Sequence, residues 1–211
     1  MTAYIWDLDG TLLDSYAVIV KGAKAAAEEA GLHDTDDEVL KGVKGESVTA
    51  YLRNASARAG IPFEQMKERY RFFAHALDDE ITLIDGAAET LERLRREGAE
   101  HFVYTHRGAS SRPILSRLGI LDCFRDIVTA EMKFKPKPSG EGVNYLAEKY
   151  ALDKAATAYI GDRTLDVLCA KDAGVQAILY LPEDSCVEPT GKEDRIIREL
   201  RELTRMTELP E

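Results

Sequence analysis

Cysteine is scarce. The 211 residues hold three, Cys123, Cys169 and Cys186, with no Cys-x-x-Cys pair and an odd total, which argues against a disulfide framework and against a zinc site. No apolar run approaches the roughly eighteen residues a membrane helix needs, and no signal peptide precedes the first apolar stretch. Positive charge is in deficit, with 28 Lys and Arg against 38 Asp and Glu and a net charge of −10. Affinity for DNA or RNA depends on cationic side chains that neutralise phosphates, so a nucleic-acid partner is disfavoured. Internal repeats and low-complexity tracts are also missing. The expectation is a cytoplasmic protein with no membrane and no nucleic-acid partner.

What is present is ordinary for a soluble globular chain: 45% hydrophobic and 31% charged residues, enough to bury a real core. The most informative stretch is Tyr4-Ile5-Trp6-Asp7-Leu8-Asp9-Gly10-Thr11. Tyr4, Ile5 and Trp6 form a short β-branched and aromatic run, and Gly10 supplies a break, so a buried strand ending at Asp7 is predicted. Asp7 and Asp9 then lie at the carboxyl end of that strand, where ligands bind in open α/β sheets. Two carboxylates one residue apart repel each other unless a cation shares the site, and magnesium suits one or two carboxylates plus waters and a phosphate. A calcium loop would need a ligand, then a glycine, after Asp9; Thr11 and Leu12 do not fit.

From Asp14 and Ser15 the chain becomes helical for about seventy residues. Helices are predicted over Tyr16–Ala30, Asp36–Val43, a stretch carrying Val48, Tyr51, Leu52, Ala55 and Ala59 on one face, and another carrying Phe63, Met66, Tyr70, Phe73 and Leu77 after Pro62. These stripes read as core between helices, and Lys44-Gly45-Glu46-Ser47 as an interhelical loop. From Ile84 helices and strands alternate: strands at His101–Tyr104, Asp126–Thr129, Ala158–Ile160 and Gln176–Leu181, helices at Ala87–Leu94, Ser110–Leu118, Gly142–Tyr150 and Thr164–Ala173. Such alternation predicts an α/β fold with a parallel sheet and right-handed crossovers. A charged amphipathic helix is expected over Lys192–Thr204. Residues 15–83 then read as a helical insertion in a core made of 1–14 and 84–211.

Asp7, Asp9, Thr105 and Asp162 fall at predicted strand ends, Asp166 follows one helical turn on, and Lys135-Pro136-Lys137-Pro138 holds a lysine in an extended loop. A nucleophilic carboxylate, an acid/base carboxylate, a hydroxyl, an ammonium and metal-binding acids are what phosphoryl transfer requires.

Asp7-Leu8-Asp9-Gly10-Thr11, the strand-final Thr105, the Lys-Pro-x-x-Glu at Lys137–Glu141 and the Gly-Asp-Arg-Thr-Leu-Asp at 161–166 resemble, in order, the four motifs of the haloacid dehalogenase-like hydrolase superfamily. The helical insertion after the first motif resembles its C1-type cap, in the branch of phosphoglycolate phosphatases and β-phosphoglucomutases. The resemblance implies a three-layer Rossmann-like sheet core and a small phosphorylated metabolite as substrate, in a monomer or homodimer. It implies Asp7 as nucleophile and Asp9 as acid and base. Magnesium would be held by the Asp7 side chain, the Asp9 carbonyl and Asp162, with Asp166 behind. Thr105 and Lys137 would hold phosphoryl oxygens, helped by backbone N–H groups near Leu8 and His106. Lys137 is favoured over Lys135 because Glu141 stands four residues after it. His106 departs from the asparagine common at that place. Asp9 sets the chain apart from dehalogenases and phosphonatases of the family, which lack that acid. A phosphatase is the first expectation, with a sugar phosphomutase and a non-catalytic phosphometabolite-binding protein as alternatives. A receiver domain is disfavoured, since its acceptor aspartate comes from a middle strand and it has no such insertion.

Overall fold

The computed structural model describes residues 2–183 and 185–205; the last residues of the expected core, 206–211, lie outside them. In chain order the strands and helices are β1 (Ala3–Trp6), β2 (Leu13–Asp14), α1 (Tyr16–Glu29), α2 (Asp36–Gly45), α3 (Val48–Ala59), α4 (Phe63–His75), β3 (Thr82–Leu83), α5 (Ala87–Arg96), β4 (Glu100–Tyr104), α6 (Ser111–Arg117), β5 (Phe124–Val128), α7 (Glu141–Tyr150), β6 (Thr157–Gly161), α8 (Thr164–Ala173), β7 (Gln176–Tyr180) and β8 (Arg195–Ile197). Two compact units result. One takes the chain up to Asp14 and from Leu83 onward, the other Ser15–Thr82.

The first unit is built on a six-stranded sheet in the order β5-β4-β1-β6-β7-β8, with every pair parallel. All four residues of β1 are buried, which explains its unbroken apolar sequence: a central parallel strand is covered on both faces. Ile5 lies opposite Phe102 of β4 and Tyr159 of β6. The core around Ile5, Phe102, Tyr159, Val167 and Leu179 is contiguous. Trp6 Nε1 donates to His101 Nδ1 at 3.0 Å, and His101 Nε2 reaches the Leu91 carbonyl at 3.1 Å. A buried indole and imidazole thus satisfy each other, as a dry interior demands.

From β1 the strand order runs outward through β4 to β5, then restarts on the other side of β1 with β6, β7 and β8. The reversal puts the topological switch point between β1 and β6, the place where a ligand crevice opens in such sheets.

The second unit is α1 to α4. Thr35 caps α2 with a reciprocal capping box to Glu38, and the Ser47 hydroxyl accepts the Ala50 N–H at 3.0 Å to start α3; both contacts satisfy orphan amide donors. Tyr51, Leu52, Ala55 and Met66 bury their side chains with Ile19 and Val39, and Val48, Phe63, Tyr70 and Phe73 pack against them, so the apolar stripes are core. At Gly22 a Cβ would sit 3.0 Å from the Ala74 Cα, which is why α1 and α4 can approach so closely. Asp34 accepts from the Tyr51 hydroxyl at 2.8 Å and from Arg58 Nη1 at 2.9 Å, a polar clasp inside the helical unit.

The expected tail helix over 192–204 does not form. Arg195–Ile197 is β8, followed by a 3-10 turn at Leu200–Arg205. The reason is the open edge of β7. Leu181 N–H donates to the Ile197 carbonyl at 2.9 Å, Arg198 Nη1 donates to the Leu181 carbonyl at 2.7 Å, and two successive β-branched isoleucines favour the pairing. The short pair β2–β3 was likewise not foreseen.

Candidate active site

The crevice is made by loops leaving β1, β4 and β6. Asp7 follows β1 directly, and its N–H donates to the Ile160 carbonyl at 2.9 Å, so the ladder holds its Cα in register at the sheet's carboxyl edge. The chain then turns tightly. The Leu8 carbonyl accepts the N–H groups of Thr11, Leu12 and Leu13 at 3.1, 3.0 and 2.8 Å, and Gly10 takes φ 81°, a left-handed conformation that suits glycine. This turn brings the Thr11 hydroxyl to 3.3 Å from Asp162 Oδ1.

Asp162 follows β6 and is buried. Asp166, in the first turn of α8, folds back so that its Oδ2 accepts the Arg163 N–H at 3.0 Å. A Cβ at Gly161 would overlap the Asp166 carboxyl group; glycine there makes room for the carboxylate. Thr105 continues β4, with its N–H on the Val128 carbonyl at 3.0 Å and its hydroxyl accepting the Arg107 N–H at 3.1 Å.

Lys137 ties these parts together. Its side chain is fully buried, and Nζ donates to Asp7 Oδ1 and to Asp166 Oδ1, both at 2.8 Å. The ammonium also lies 5.4 and 5.2 Å from the ring centres of Tyr104 and Tyr159, within cation–π reach. Burial works against its charge, but Asp166 and Asp7 more than offset this and hold its pKa above the ordinary lysine value. Burial dominates at Asp7 and raises its pKa, with Lys137 pulling the other way. At Asp166 burial is outweighed by Lys137 and Arg163, and the pKa is lowered. Lys135 is exposed, and its backbone carbonyl accepts from the Tyr104 hydroxyl at 3.1 Å.

The His106 ring turns toward the lysine loop. Its Nε2 accepts the Lys137 backbone N–H at 3.0 Å. Burial, then the charges of Lys137 and Arg163, depress its pKa to about 3, so the ring is a neutral acceptor that braces the lysine loop.

Carboxylate oxygens of Asp7, Asp162 and Asp166 lie within 4.8 Å of one another. Asp7 Oδ2 is buried and accepts no hydrogen bond among the described residues; Arg163 Nη2 stands 3.9 Å away. An orphaned anionic oxygen beside two further carboxylates is a donor set that fits a hard divalent cation. Asp166 has one oxygen on Lys137 and the other on the Arg163 amide.

Two residues of the crevice escaped the sequence reading. Arg107 grips Asp9 through Nε and Nη2, the shortest contact being 2.6 Å. Arg163 lies against Asp7 and caps α8. Each stands within or beside a motif, Arg107 two residues after Thr105 and Arg163 directly after Asp162, but adjacency in sequence does not say which way a long side chain turns.

A doubly wound parallel sheet with a lysine-bound carboxylate, further carboxylates and a hydroxyl at its switch point is the core of an α/β enzyme. Residues 4–180 match the haloacid dehalogenase-like hydrolases, and the chain belongs to that family. It is 32% identical over 188 residues to a phosphoglycolate phosphatase of Cereibacter sphaeroides, covering 85% of each chain. It is 29% identical over 186 residues to the phosphoglycolate phosphatase of Chromobacterium violaceum, covering 83% of each. Two crystal structures share the fold: one described as a predicted phosphoglycolate phosphatase from Haemophilus somnus, with TM-score 0.85, 21% identity and coverage of 99% and 98%, and CbbY from Rhodobacter sphaeroides in complex with phosphate, with TM-score 0.82, 19% identity and coverage of 96% of each chain.

Proposed function

We propose that this hydrolase is a magnesium-dependent phosphatase that cleaves a small phosphorylated metabolite, phosphoglycolate foremost, through an aspartyl-phosphate on Asp7. The observation that carries this is the state of the Asp7 carboxylate: one oxygen fixed by Lys137, the other buried without a hydrogen-bond donor among the described residues. A carboxylate desolvated on one side and oriented on the other is set up as a nucleophile.

In the first half-reaction an Asp7 oxygen bonds to phosphorus as the ester P–O bond breaks, and Asp9, having taken a proton from solvent and turned from Arg107, gives that proton to the departing oxygen. In the second, Asp9 takes a proton from water while the water oxygen bonds to phosphorus, which releases inorganic phosphate and restores Asp7. The Thr105 hydroxyl, the Lys137 ammonium and the N–H groups of Leu8 and His106 hold the phosphoryl oxygens through both steps. Magnesium, held by the Asp7 and Asp162 carboxylates and the Asp9 carbonyl with Asp166 behind them, would supply positive charge to a phosphoryl group whose oxygens gain charge at the transition state. Splitting a very slow displacement into two electrostatically assisted ones is the gain from the covalent route.

The test is release of inorganic phosphate from p-nitrophenyl phosphate and from phosphoglycolate with magnesium present, beside an Asp7→Asn variant. Turnover by the wild type alone supports the reading. Equal turnover by Asp7→Asn refutes it, and transfer of phosphate between positions of a sugar in place of release would make the protein a mutase.

A further inference from the structure

The ammonium of Lys137 bonds two carboxylates and also rests on two aromatic rings. Tyr104 ends β4 and Tyr159 lies in the middle of β6, on either side of β1. Nζ lies over both rings, 5.4 and 5.2 Å from their centres. The rings meet edge to face, with centres 6.4 Å apart and planes at 75°, so they form a corner beside the cation.

Both rings are fixed by their hydroxyls. Tyr159 donates to the Tyr104 carbonyl at 2.8 Å, and Tyr104 donates to the Lys135 carbonyl at 3.1 Å. The two strands and the loop that carries Lys137 are thereby joined in series through the tyrosines. A Cβ at Gly142 would lie 2.6 Å from Tyr104 Cε2, so α7 packs directly on that ring. Tyr104 and Tyr159 are buried, as is the Lys137 side chain.

An aliphatic side chain could fill the same space, but it offers nothing to a buried charge. A ring face presents the negative side of a quadrupole, which attracts a cation most where water is excluded. Lysine needs such support, being a compact charge on a flexible four-carbon stem. Its partner Asp7 is the group that reacts. When an Asp7 oxygen bonds to phosphorus, the carboxylate gives up charge that had paired with the ammonium, whereas the ring faces take no part in bond making. An interaction that carries more of the load once Asp7 has begun to bond is expressed in kcat.

We propose that Tyr104 and Tyr159 are positioning residues, whose ring faces hold the Lys137 ammonium in place while Asp7 passes between carboxylate and acyl phosphate. The proposal rests on the phosphatase reading above. If the rings were packing alone, any ring of the same size would serve equally.

The experiment replaces each tyrosine alone by phenylalanine carrying no, one, two or three fluorines, a series that drains the ring face of negative potential at nearly constant size. It reads kcat and KM for p-nitrophenyl phosphate with magnesium. Tyr104→Phe and Tyr159→Phe set the reference for the lost hydroxyl. From there kcat is expected to fall with each fluorine, to about a tenth at three, while KM stays within about twofold. Should a three-fluorine protein fail to fold, the slope over its one- and two-fluorine relatives decides. A kcat that does not change along the series at either position overturns the assignment of that residue. A wild type that releases phosphate from neither p-nitrophenyl phosphate nor phosphoglycolate overturns the phosphatase reading, and this proposal with it.

Discussion

The Lys137 ammonium stands 2.8 Å from the Asp7 carboxylate across 130 residues of chain, and a second carboxylate, Asp166, shares the same ammonium at the same distance. One cation thus holds two buried anions apart from each other and in register with the end of β1.

Removing that cation should be felt in both rate and stability. Lys137→Met leaves Asp7 and Asp166 facing each other without the ammonium that bonds both. Loss of a preorganised charge of this kind lowers kcat by about a hundredfold or more, and breaking a buried ion pair lowers stability by about 3 kcal/mol. Steady-state kinetics and urea midpoints check both. Lys135→Met, at an exposed side chain, is expected to stay within about twofold of the wild type.

Metal binding should be readable without any turnover. A ligand that binds only the folded state raises its melting temperature, so magnesium is expected to raise Tm for the wild type and to do so much less for Asp162→Asn. An equal rise in both proteins would exclude Asp162 as a ligand.

Gly161→Ala tests the packing under the site. The added methyl would overlap the Asp166 carboxyl group, pushing it off Lys137 or distorting the start of α8. Overpacking of this sort destabilises by about 1–3 kcal/mol. Thermal melts should show the loss, and turnover should fall with it; a variant as stable and active as the wild type would contradict the geometry.

His101 predicts a pH dependence. Buried between Trp6 and Leu91, chiefly through desolvation, it has a pKa lowered from 6.5 to about 4. The unfolded chain therefore takes up a proton near pH 6.5 that the folded chain refuses until about pH 4. The contribution is fully present above the unfolded pKa and is lost as pH falls toward the folded one, to a total of about 3 kcal/mol. Urea midpoints of the wild type should drop more steeply between about pH 7 and about pH 5 than those of His101→Gln, whose side chain does not titrate. Parallel slopes would show that His101 is not excluded from protonation in the fold.

His106 offers a milder change. His106→Gln keeps an acceptor at the reach of Nε2 for the Lys137 amide, whereas His106→Leu leaves a buried N–H without one, a difference of about 1–3 kcal/mol. Chemical denaturation of the two variants side by side should rank them in that order.

The strands were legible because a buried parallel strand writes itself as a short apolar run: Tyr4–Trp6, His101–Tyr104 and Ala158–Ile160 are each central in the sheet. The four helices of the insertion were legible from their stripes and caps. Arg195–Ile197 was not, since a three-residue edge strand gains its pairing from β7 and has little pattern of its own. The charges around it, Asp194, Arg198 and Glu199, read as part of a charged amphipathic helix. His106 was placed beside Thr105 correctly in the chain, but the direction of its ring toward Lys137 depends on the path of the 135–138 loop.

By itself the sequence determined the alternation of helix and strand, the helical insertion, and the order in which Asp7, Asp9, Thr105, Lys137, Asp162 and Asp166 arrive, because hydrophobic period and glycine breaks act over a few residues. Only the tertiary structure decided that Lys137 and not Lys135 meets Asp7, that Asp166 is engaged by that lysine, and that Arg107 grips Asp9. Those are pairings between loops after different strands. Which charges share a desolvated space is settled by strand order and burial, and neither is a local property of the chain.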